Sequence, residues 1–308
     1  MKAVAEAPSK AIITGEHFVV HGAWALAASL PRRVRVEVKG APAFRVASDM
    51  FGGVPSQLRP VSRLVESMAR EFGVSSKVGV SITSDVPGGA GLGSSAATMV
   101  AVAAAFSRLH YLGLRVDEIV RCAMVGEERI HGKPSGIDPA ASAHGGVILF
   151  KTGSPLKKLS FDGTRSLILS YSGMNRRTKG QIGHVAKMKE KYPGMFSSLA
   201  QGIGELSLDA SEKLKTGDMK GLGTLLTLNH SALMSLGVSN STLDDMVDLL
   251  LSMGSYGAKL TGAGGGGSVL AVAPEGKEKS IVSGLTARGF ETFRVSIPTE
   301  GVKSWLER

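Results

Sequence analysis

The hydrophobic and polar positions in the first half of the chain predict strands and helices in alternation. RVRVEVKG (33–40) places Val34, Val36 and Val38 on one face, which is typical of a half-buried strand. PVSRLVESMAREFG (60–73) carries apolar residues at helical spacing and ends in glycine. The same criteria predict further elements: a strand at 77–85, helices from about Ser94 to Tyr111 and from near Asp117 to 130, and a buried strand at 145–150.

The second half of the chain has a different order of elements. SLILSYSG (166–173) predicts a strand, and three or four long helices follow between about Thr178 and Met253. The remainder predicts a strand at AKLT, a glycine loop, a strand at SVLAVAP, a helix, and a strand at ETFRVSI. That order is typical of a ferredoxin-like split β-α-β sandwich. We therefore expect an α/β (α+β) chain of two domains, residues 1–165 and 166–308, with the functional site in the cleft between them.

The segment DVPGGAGLGSSAAT (85–98) leads from a predicted strand into an apolar helix. Four glycines within residues 88–93 allow a tight bend and close approach of a ligand, and Ser94 and Ser95 suit a helix cap. Because free N–H groups and the helix dipole favour anions at a helix start, the segment predicts a phosphate-binding loop. It fits neither the Walker pattern nor the dinucleotide pattern, which would require lysine after the last glycine or a glycine at Ser94. A glycine-rich surface turn is the alternative.

A second segment, PSKAIITGEHFVVHG (8–22), surrounds an apolar strand with charged and imidazole side chains, namely Lys10, Glu16, His17 and His21. An ordinary strand with a polar turn at Gly15 would have the same pattern. Isolated histidines are more often structural than ligands, so this segment alone decides nothing.

Two later segments also carry candidate chemistry. GEERIHGKPSGIDPA (126–140) places Glu127 near a helix end and Asp138 in a loop, with Ser135 between them. Two neighbouring acids suit one Mg²⁺ ligand and one proton acceptor or orienting group, although an exposed helix end is the alternative. KLTGAGGGG (259–267) predicts backbone laid against a ligand or the other domain, with a flexible hairpin as the alternative.

Composition narrows the class of protein. The net charge is +10, but the basic residues are scattered and aromatic residues are only 5%, so we expect no nucleic-acid partner. No apolar run approaches the roughly 20 residues of a membrane span, and the N-terminal residues lack the apolar core of a signal peptide. A single cysteine, Cys122, excludes an internal disulfide, and a reducing cytoplasm is the simplest location.

Together, the four segments identify the chain as a member of the superfamily of galactokinase, homoserine kinase, mevalonate kinase and phosphomevalonate kinase (GHMP kinases). They resemble its motifs in order and approximate spacing over nearly the whole chain. GEHFVVHG and GEERIHGKPSGID resemble the mevalonate kinase family in particular. The resemblance implies an N-terminal domain like the ribosomal S5 second domain and a ferredoxin-like C-terminal domain. It also implies ATP-dependent phosphorylation of the primary hydroxyl of mevalonate to 5-phosphomevalonate, with Mg²⁺.

The resemblance also implies residue roles. Asp138 would be the catalytic base or would orient the hydroxyl, and Lys10 would keep Asp138 charged, since a cation favours a neighbouring carboxylate. Ser95 and Glu127 would hold Mg²⁺. The ATP phosphates would lie on residues 87–96, namely Pro87, Gly88, Gly89, Ala90, Gly91, Leu92, Gly93, Ser94, Ser95 and Ala96. The acceptor would be bound by Glu16, His17, His21, Ser135, Arg176, Thr178 and Ala263, with the arginine fork pairing a carboxylate.

Some questions stay open at this level. Pro139 stands where the family often has asparagine, and proline biases the preceding Asp138 toward extended backbone. Phosphomevalonate kinase, a mevalonate 3-kinase and a non-catalytic nucleotide-binding regulator are the alternative functions. The resemblance implies a homodimer, whose interface the sequence does not indicate.

Overall fold

The computed structural model describes residues 1–49, 55–86, 89–160, 167–174 and 178–308. Within these ranges, eleven strands and nine α-helices form two sheets with their helices. The strands are β1 (Lys2–Thr14), β2 (Ala25–Gly40), β3 (Arg45–Ser48), β4 (Val78–Ser84), β5 (Val147–Phe150), β6 (Lys157–Leu159), β7 (Leu167–Tyr171), β8 (Gly257–Thr261), β9 (Ser268–Val272), β10 (Glu291–Val295) and β11 (Lys303–Glu307). The helices are α1 (Pro55–Phe72), α2 (Ser94–Leu109), α3 (Val116–His131), α4 (Ile137–His144), α5 (Thr178–Lys191), α6 (Pro193–Thr216), α7 (Met219–Ser235), α8 (Ser241–Ser252) and α9 (Glu278–Thr286).

The first sheet has the order β11-β1-β2-β4-β3, with β5 and β6 added beside the first half of β2. β2 pairs antiparallel with β1, with β4 through Val34–Gly40 and with β5 through Ala25–Ala28. Val34, Val36 and Val38 are fully buried, as their alternation predicts.

Helix α2 forms the centre of the first core. It contacts β1 and β2 on one side and α1, α3 and α4 on others. Every residue from Ala96 to Ser107 is buried, which is expected of a helix that is apolar on all faces. The helix α2 is thereby packed against the first sheet along its length.

The second sheet is antiparallel with the order β10-β7-β9-β8. Helices α5 to α8 connect β7 to β8, and α9 connects β9 to β10. This is the ferredoxin-like arrangement, so the predicted two-domain α/β fold class is confirmed. No helix in the described ranges is long and apolar enough to cross a membrane.

The strand β11 was not anticipated in the sequence. It pairs antiparallel with β1, from Lys2 opposite Glu307 to Glu6 opposite Lys303. The first sheet therefore contains a strand from the end of the chain. The division at residues 165 and 166 stays a prediction, and both positions lie outside the described residues.

Candidate active site

The glycine loop before α2 has the backbone that its composition predicts. Gly89, Gly91 and Gly93 all have positive φ, at 76°, 85° and 72°. The carbonyl oxygen of Leu92 accepts a hydrogen bond from the backbone N–H of Lys10 at 2.9 Å. The loop is therefore fixed to β1, and it ends directly at the start of α2.

The serines do not cap α2, which corrects the sequence prediction. The cap position is Gly93, and no side chain makes a capping bond; Ser94 and Ser95 are the first two helical residues. A left-handed backbone favours glycine at the cap position, so the serines are displaced into the first turn. There the N–H groups at the helix start have no intrahelical partners.

Gly93 also lies directly against the Lys10 side chain. A Cβ atom at Gly93 would lie 2.7 Å from Lys10 Cε and 2.8 Å from its Cγ, which is too close for any real contact. The absent side chain lets the lysine pass under the loop. Lys10 Nζ then reaches Asp138 Oδ1 at 2.8 Å, with 2% of the lysine and 27% of the aspartate side chain exposed.

Asp138 lies in the first turn of helix α4, and the prediction of a loop there was wrong. The cap residue Gly136 is left-handed, with φ 91°, and the helix runs from Ile137 to His144. The expected extended backbone at Asp138 was also wrong. Pro139 is tolerated in the first turn because the N–H that proline lacks would have no helical partner. Asp138 is therefore presented by the first turn of a helix.

Ser95 and Glu127 lie on neighbouring helices around one imidazole. His131 Nε2 is 3.4 Å from Ser95 Oγ and 3.6 Å from Glu127 Oε2, and Glu127 is 1% exposed. The sequence analysis did not single out His131, although it lies four residues after Glu127 on the same helix face. Among the described residues, no group of three or more His, Cys, Asp or Glu could hold a metal ion. A hydroxyl and a carboxylate nonetheless suit Mg²⁺, which takes one or two protein oxygens beside phosphate oxygens.

Three of the predicted acceptor residues, His17, Ala263 and Ser135, take part in hydrogen bonds within the motifs. His17 donates a hydrogen bond from Nε2 to the carbonyl oxygen of Ala263 at 3.0 Å, which brings the first and third motifs together. Ser135 Oγ accepts from the N–H of Ile137 at 3.3 Å, just before Asp138.

His21 lies farther along the first motif. Its Nδ1 accepts from Lys189 Nζ at 3.1 Å, and its ring packs edge-on against Phe196 at 4.9 Å. Burial, with the nearby Lys189, lowers the pKa of His21. Three predicted residues, Pro87, Gly88 and Arg176, lie outside the described residues. Thr178 begins α5, and its side chain is also outside the description.

Glu16 faces a lysine that the sequence analysis missed. Lys259 on β8 donates to Glu16 Oε1 and to the carbonyl oxygen of Leu260, and both side chains are at most 2% exposed. Burial raises the pKa of Glu16, against the opposing effect of Lys259. Burial likewise lowers the pKa of Lys259. A charged side chain in the middle of the short strand GAKLT was the available signal.

The two sheets meet at this cluster. Thr261 Oγ1 accepts from the N–H of Ile12 at 3.0 Å and donates to the Ile12 carbonyl at 2.9 Å. Asn229 Oδ1 accepts from the N–H of Gly15 at 3.0 Å. The Lys10–Asp138 pair, the glycine loop and the third motif thus form one site at the contact between the sheets.

Comparison with known proteins gives concordant matches. The GHMP kinases N-terminal domain matches residues 59–146, and the GHMP kinases C-terminal domain matches residues 210–291. The mevalonate kinase of Aeropyrum pernix is 33% identical over 316 residues, covering 97% of each chain, and that of Thermococcus sibiricus is 34% identical over 334 residues, covering 98% of each. The crystal structure of L. major mevalonate kinase in complex with R-mevalonate has a TM-score of 0.82 at 30% identity, covering 96% of both chains.

Proposed function

We propose, since this chain belongs to the GHMP kinases and among them to the mevalonate kinase family, that it transfers the γ-phosphoryl group of ATP to the primary hydroxyl of mevalonate. The products are 5-phosphomevalonate and ADP. The observation that carries this proposal is the Lys10–Asp138 ion pair beside the glycine loop. It joins an acid, a cation and a phosphate-type loop in one place.

The nucleotide side of the site is built from backbone. We assign the ATP phosphates to residues 87–96, because the left-handed glycines and the start of α2 offer N–H groups to an anion. We assign Mg²⁺ to Ser95 and Glu127, where it would neutralise charge on the transferred phosphoryl group. The carbonyl oxygens of Ala90 and Leu92 already accept hydrogen bonds from Ser268 and Lys10 within the protein.

The chemical step relies on positioning. The acceptor hydroxyl attacks the γ-phosphorus, the bond to the bridging oxygen of ADP breaks, and the hydroxyl proton passes to Asp138. Lys10, 2.8 Å from Asp138, stabilises the charge on the attacking oxygen. Most of the rate enhancement in phosphoryl transfer comes from in-line geometry and electrostatics, which a buried lysine and a helix-borne aspartate supply.

The acceptor pocket is assigned to the first motif, the acid segment and the third motif. His17, His21, Ser135 and Ala263 would bind the mevalonate, together with Arg176 and Thr178. The buried Glu16 would contribute to the pocket indirectly, through its ion pair with Lys259. An arginine fork suits the mevalonate carboxylate, because it can pair both oxygens.

The experiment is an acceptor panel. ADP release is measured with Mg²⁺–ATP and mevalonate, 5-phosphomevalonate, galactose or homoserine in turn. Turnover with mevalonate, giving the 5-phosphate, supports the proposal; turnover only with another acceptor would leave the fold intact and overturn the acceptor assignment. Turnover with none of them, while ATP still binds, would favour a nucleotide-binding regulator.

A single variant tests the role of Asp138. Asp138→Asn should lose about 100-fold or more in kcat, the usual contribution of a positioned acid or base, and should still bind ATP. Wild-type kcat in this variant would exclude Asp138 as base or orienting group.

We also propose that the protein is a homodimer in the cytoplasm. The family resemblance supports the dimer. The compartment is supported by the single cysteine, Cys122, which is buried and whose pKa burial raises to about 11, as is typical of an inert thiol in a reducing environment. Light scattering on the purified protein and fractionation of the source cells test the two parts separately.

A further inference from the structure

The phosphate loop is held by a side chain of the second sheet. Ser268 Oγ donates a hydrogen bond to the carbonyl oxygen of Ala90 at 2.8 Å, and both residues are buried. Ser268 is the first residue of β9, so this bond connects the ferredoxin-like half of the molecule directly to the loop that precedes α2. Both partners are shielded from water, so the loop cannot exchange this bond for one to solvent.

Two carbonyl groups of the loop, two residues apart, are fixed by hydrogen bonds. Ala90 is bonded to Ser268, and Leu92 is bonded to the backbone N–H of Lys10. The loop is consequently tied on one side to β9 and on the other to the strand that carries Lys10. A loop held close to its ligand-binding shape binds more tightly, because part of the ordering cost has been met during folding and less remains to be met on binding.

Ser268 is also connected to the acceptor side. It lies opposite Thr261 in the β8–β9 ladder, and the Thr261 hydroxyl both accepts from and donates to the backbone of Ile12. The residues between Thr261 and Ser268 form the third glycine motif, whose Ala263 carbonyl is bonded to His17. The residues between Thr261 and Ser268 are called the acceptor loop below. The Thr261–Ser268 rung of the ladder anchors both ends of this loop, one to β1 and the other to the phosphate loop.

We propose that Ser268 is a positioning residue for the phosphate loop, and that the Thr261–Ser268 rung couples ATP binding to acceptor binding. The inference rests on the proposed function and adds the route by which its two substrates affect one another. A ligand that orders the acceptor loop also fixes Ser268, and Ser268 fixes Ala90, so the second ligand has less ordering to do. Such coupling is reciprocal: mevalonate must tighten ATP by the same factor as ATP tightens mevalonate.

The test uses the full chain and a non-hydrolysable ATP analogue, adenylyl imidodiphosphate, with Mg²⁺. Calorimetric titrations with and without mevalonate give the coupling factor, and steady-state kinetics give KM and kcat. We expect a wild-type factor of about fivefold or more, the usual lower range of binding coupling. In Ser268→Ala the KM for ATP should rise about tenfold, as for one lost buried hydrogen bond, with a smaller change in kcat and a coupling factor near one.

Two further variants separate positioning from general destabilisation. Ser170 on β7 is a matched control, because it is fully buried and bonds Thr292 at 2.7 Å within the second sheet. Ser170→Ala should keep the wild-type KM for ATP. Ser268→Thr retains the hydroxyl and should restore both KM and coupling. If Ser268→Ala does not fold, Ser268→Cys, with a weaker donor of similar size, should give an intermediate KM and coupling factor.

Several results would overturn the inference. These are a wild-type coupling factor of one, an unchanged ATP KM and coupling in a folded Ser268→Ala or Ser268→Cys, or an equal rise in Ser170→Ala. The proposed function fails separately: the wild-type protein would then not phosphorylate mevalonate at all. If mevalonate is phosphorylated but Ser268→Ala behaves as wild type, the positioning role and the coupling are both lost and the proposed function stands.

Discussion

Substitution of Lys259 isolates the buried ion pair that joins β8 to the first motif. Lys259→Met keeps an unbranched side chain one atom shorter than lysine but leaves the Glu16 carboxyl without its cation. Since both side chains are at most 2% exposed, solvent cannot take the place of the lysine. Removal of one partner of a buried pair costs about 3–5 kcal/mol, and we expect a loss in that range.

The loss should depend on pH in a defined direction. Burial already raises the pKa of Glu16, and without Lys259 the native state holds that proton still more strongly than the unfolded chain. A carboxyl with a raised native pKa loses stability as pH rises above its unfolded value of about 4.5. The loss in free energy of unfolding caused by Lys259→Met should therefore be small near pH 5 and reach its full size toward pH 8.

Urea unfolding at several pH values measures this effect. The double variant Glu16→Gln/Lys259→Met removes both charges and should cost about 2 kcal/mol less than the sum of the single variants. Lys213→Met is the surface control: its pair with Asp218 at 2.7 Å is well exposed, so about 0–1 kcal/mol is expected. The reasoning is refuted if the stability losses of the two single variants simply add up in the double variant. It is also refuted if the stability loss of Lys259→Met does not change with pH.

Three other substitutions have defined outcomes. Gly93→Ala should cost about 1–2 kcal/mol for its left-handed backbone, and should lower kcat further because the new methyl displaces Lys10; thermal melts and turnover measure the two effects, and wild-type kcat would contradict the contact. Glu127→Gln should raise the Mg²⁺ concentration for half-maximal activity by about tenfold or more, measured by Mg²⁺ titration, whereas an unchanged value would remove Glu127 from the metal site. Burial lowers the pKa of His230 despite Asp244, so the unfolded state takes up a proton that the native state does not, and stability should fall as pH drops below about 6.5. In urea titrations, His230→Gln should reduce the dependence of the unfolding free energy on pH. If the dependence stays the same, other groups are responsible for it.

Much of the fold followed from local patterns. The alternation of Val34, Val36 and Val38 located β2, and the glycines at 89, 91 and 93 indicated a backbone that only glycine adopts readily. These features depend on neighbouring residues alone. The order of the last strands indicated the ferredoxin-like half for the same reason.

The remaining features depend on distant residues. The pairing of Lys259 with Glu16 joins strands from different sheets, and no local period marks it. The helix at Asp138 was missed because a proline rule for extended backbone competes with the tolerance of proline in a first helical turn, and here the tolerance prevails. β3 was missed because it alternates between half-buried and exposed positions only, and is held by its parallel pairing with β4.

The pairing of β11 with β1 has a consequence for folding during synthesis. While the chain is being synthesised, β1 can pair with β2 early, but its other edge has no neighbour until residues 303–307 have left the ribosome. An open strand edge is a template for association with other nascent chains. Pairing between such distant segments is also slow, because a long loop must close first. The strand that carries Lys10 thus keeps one edge unpaired during synthesis, and the first sheet becomes complete only when residues 303–307 pair with it.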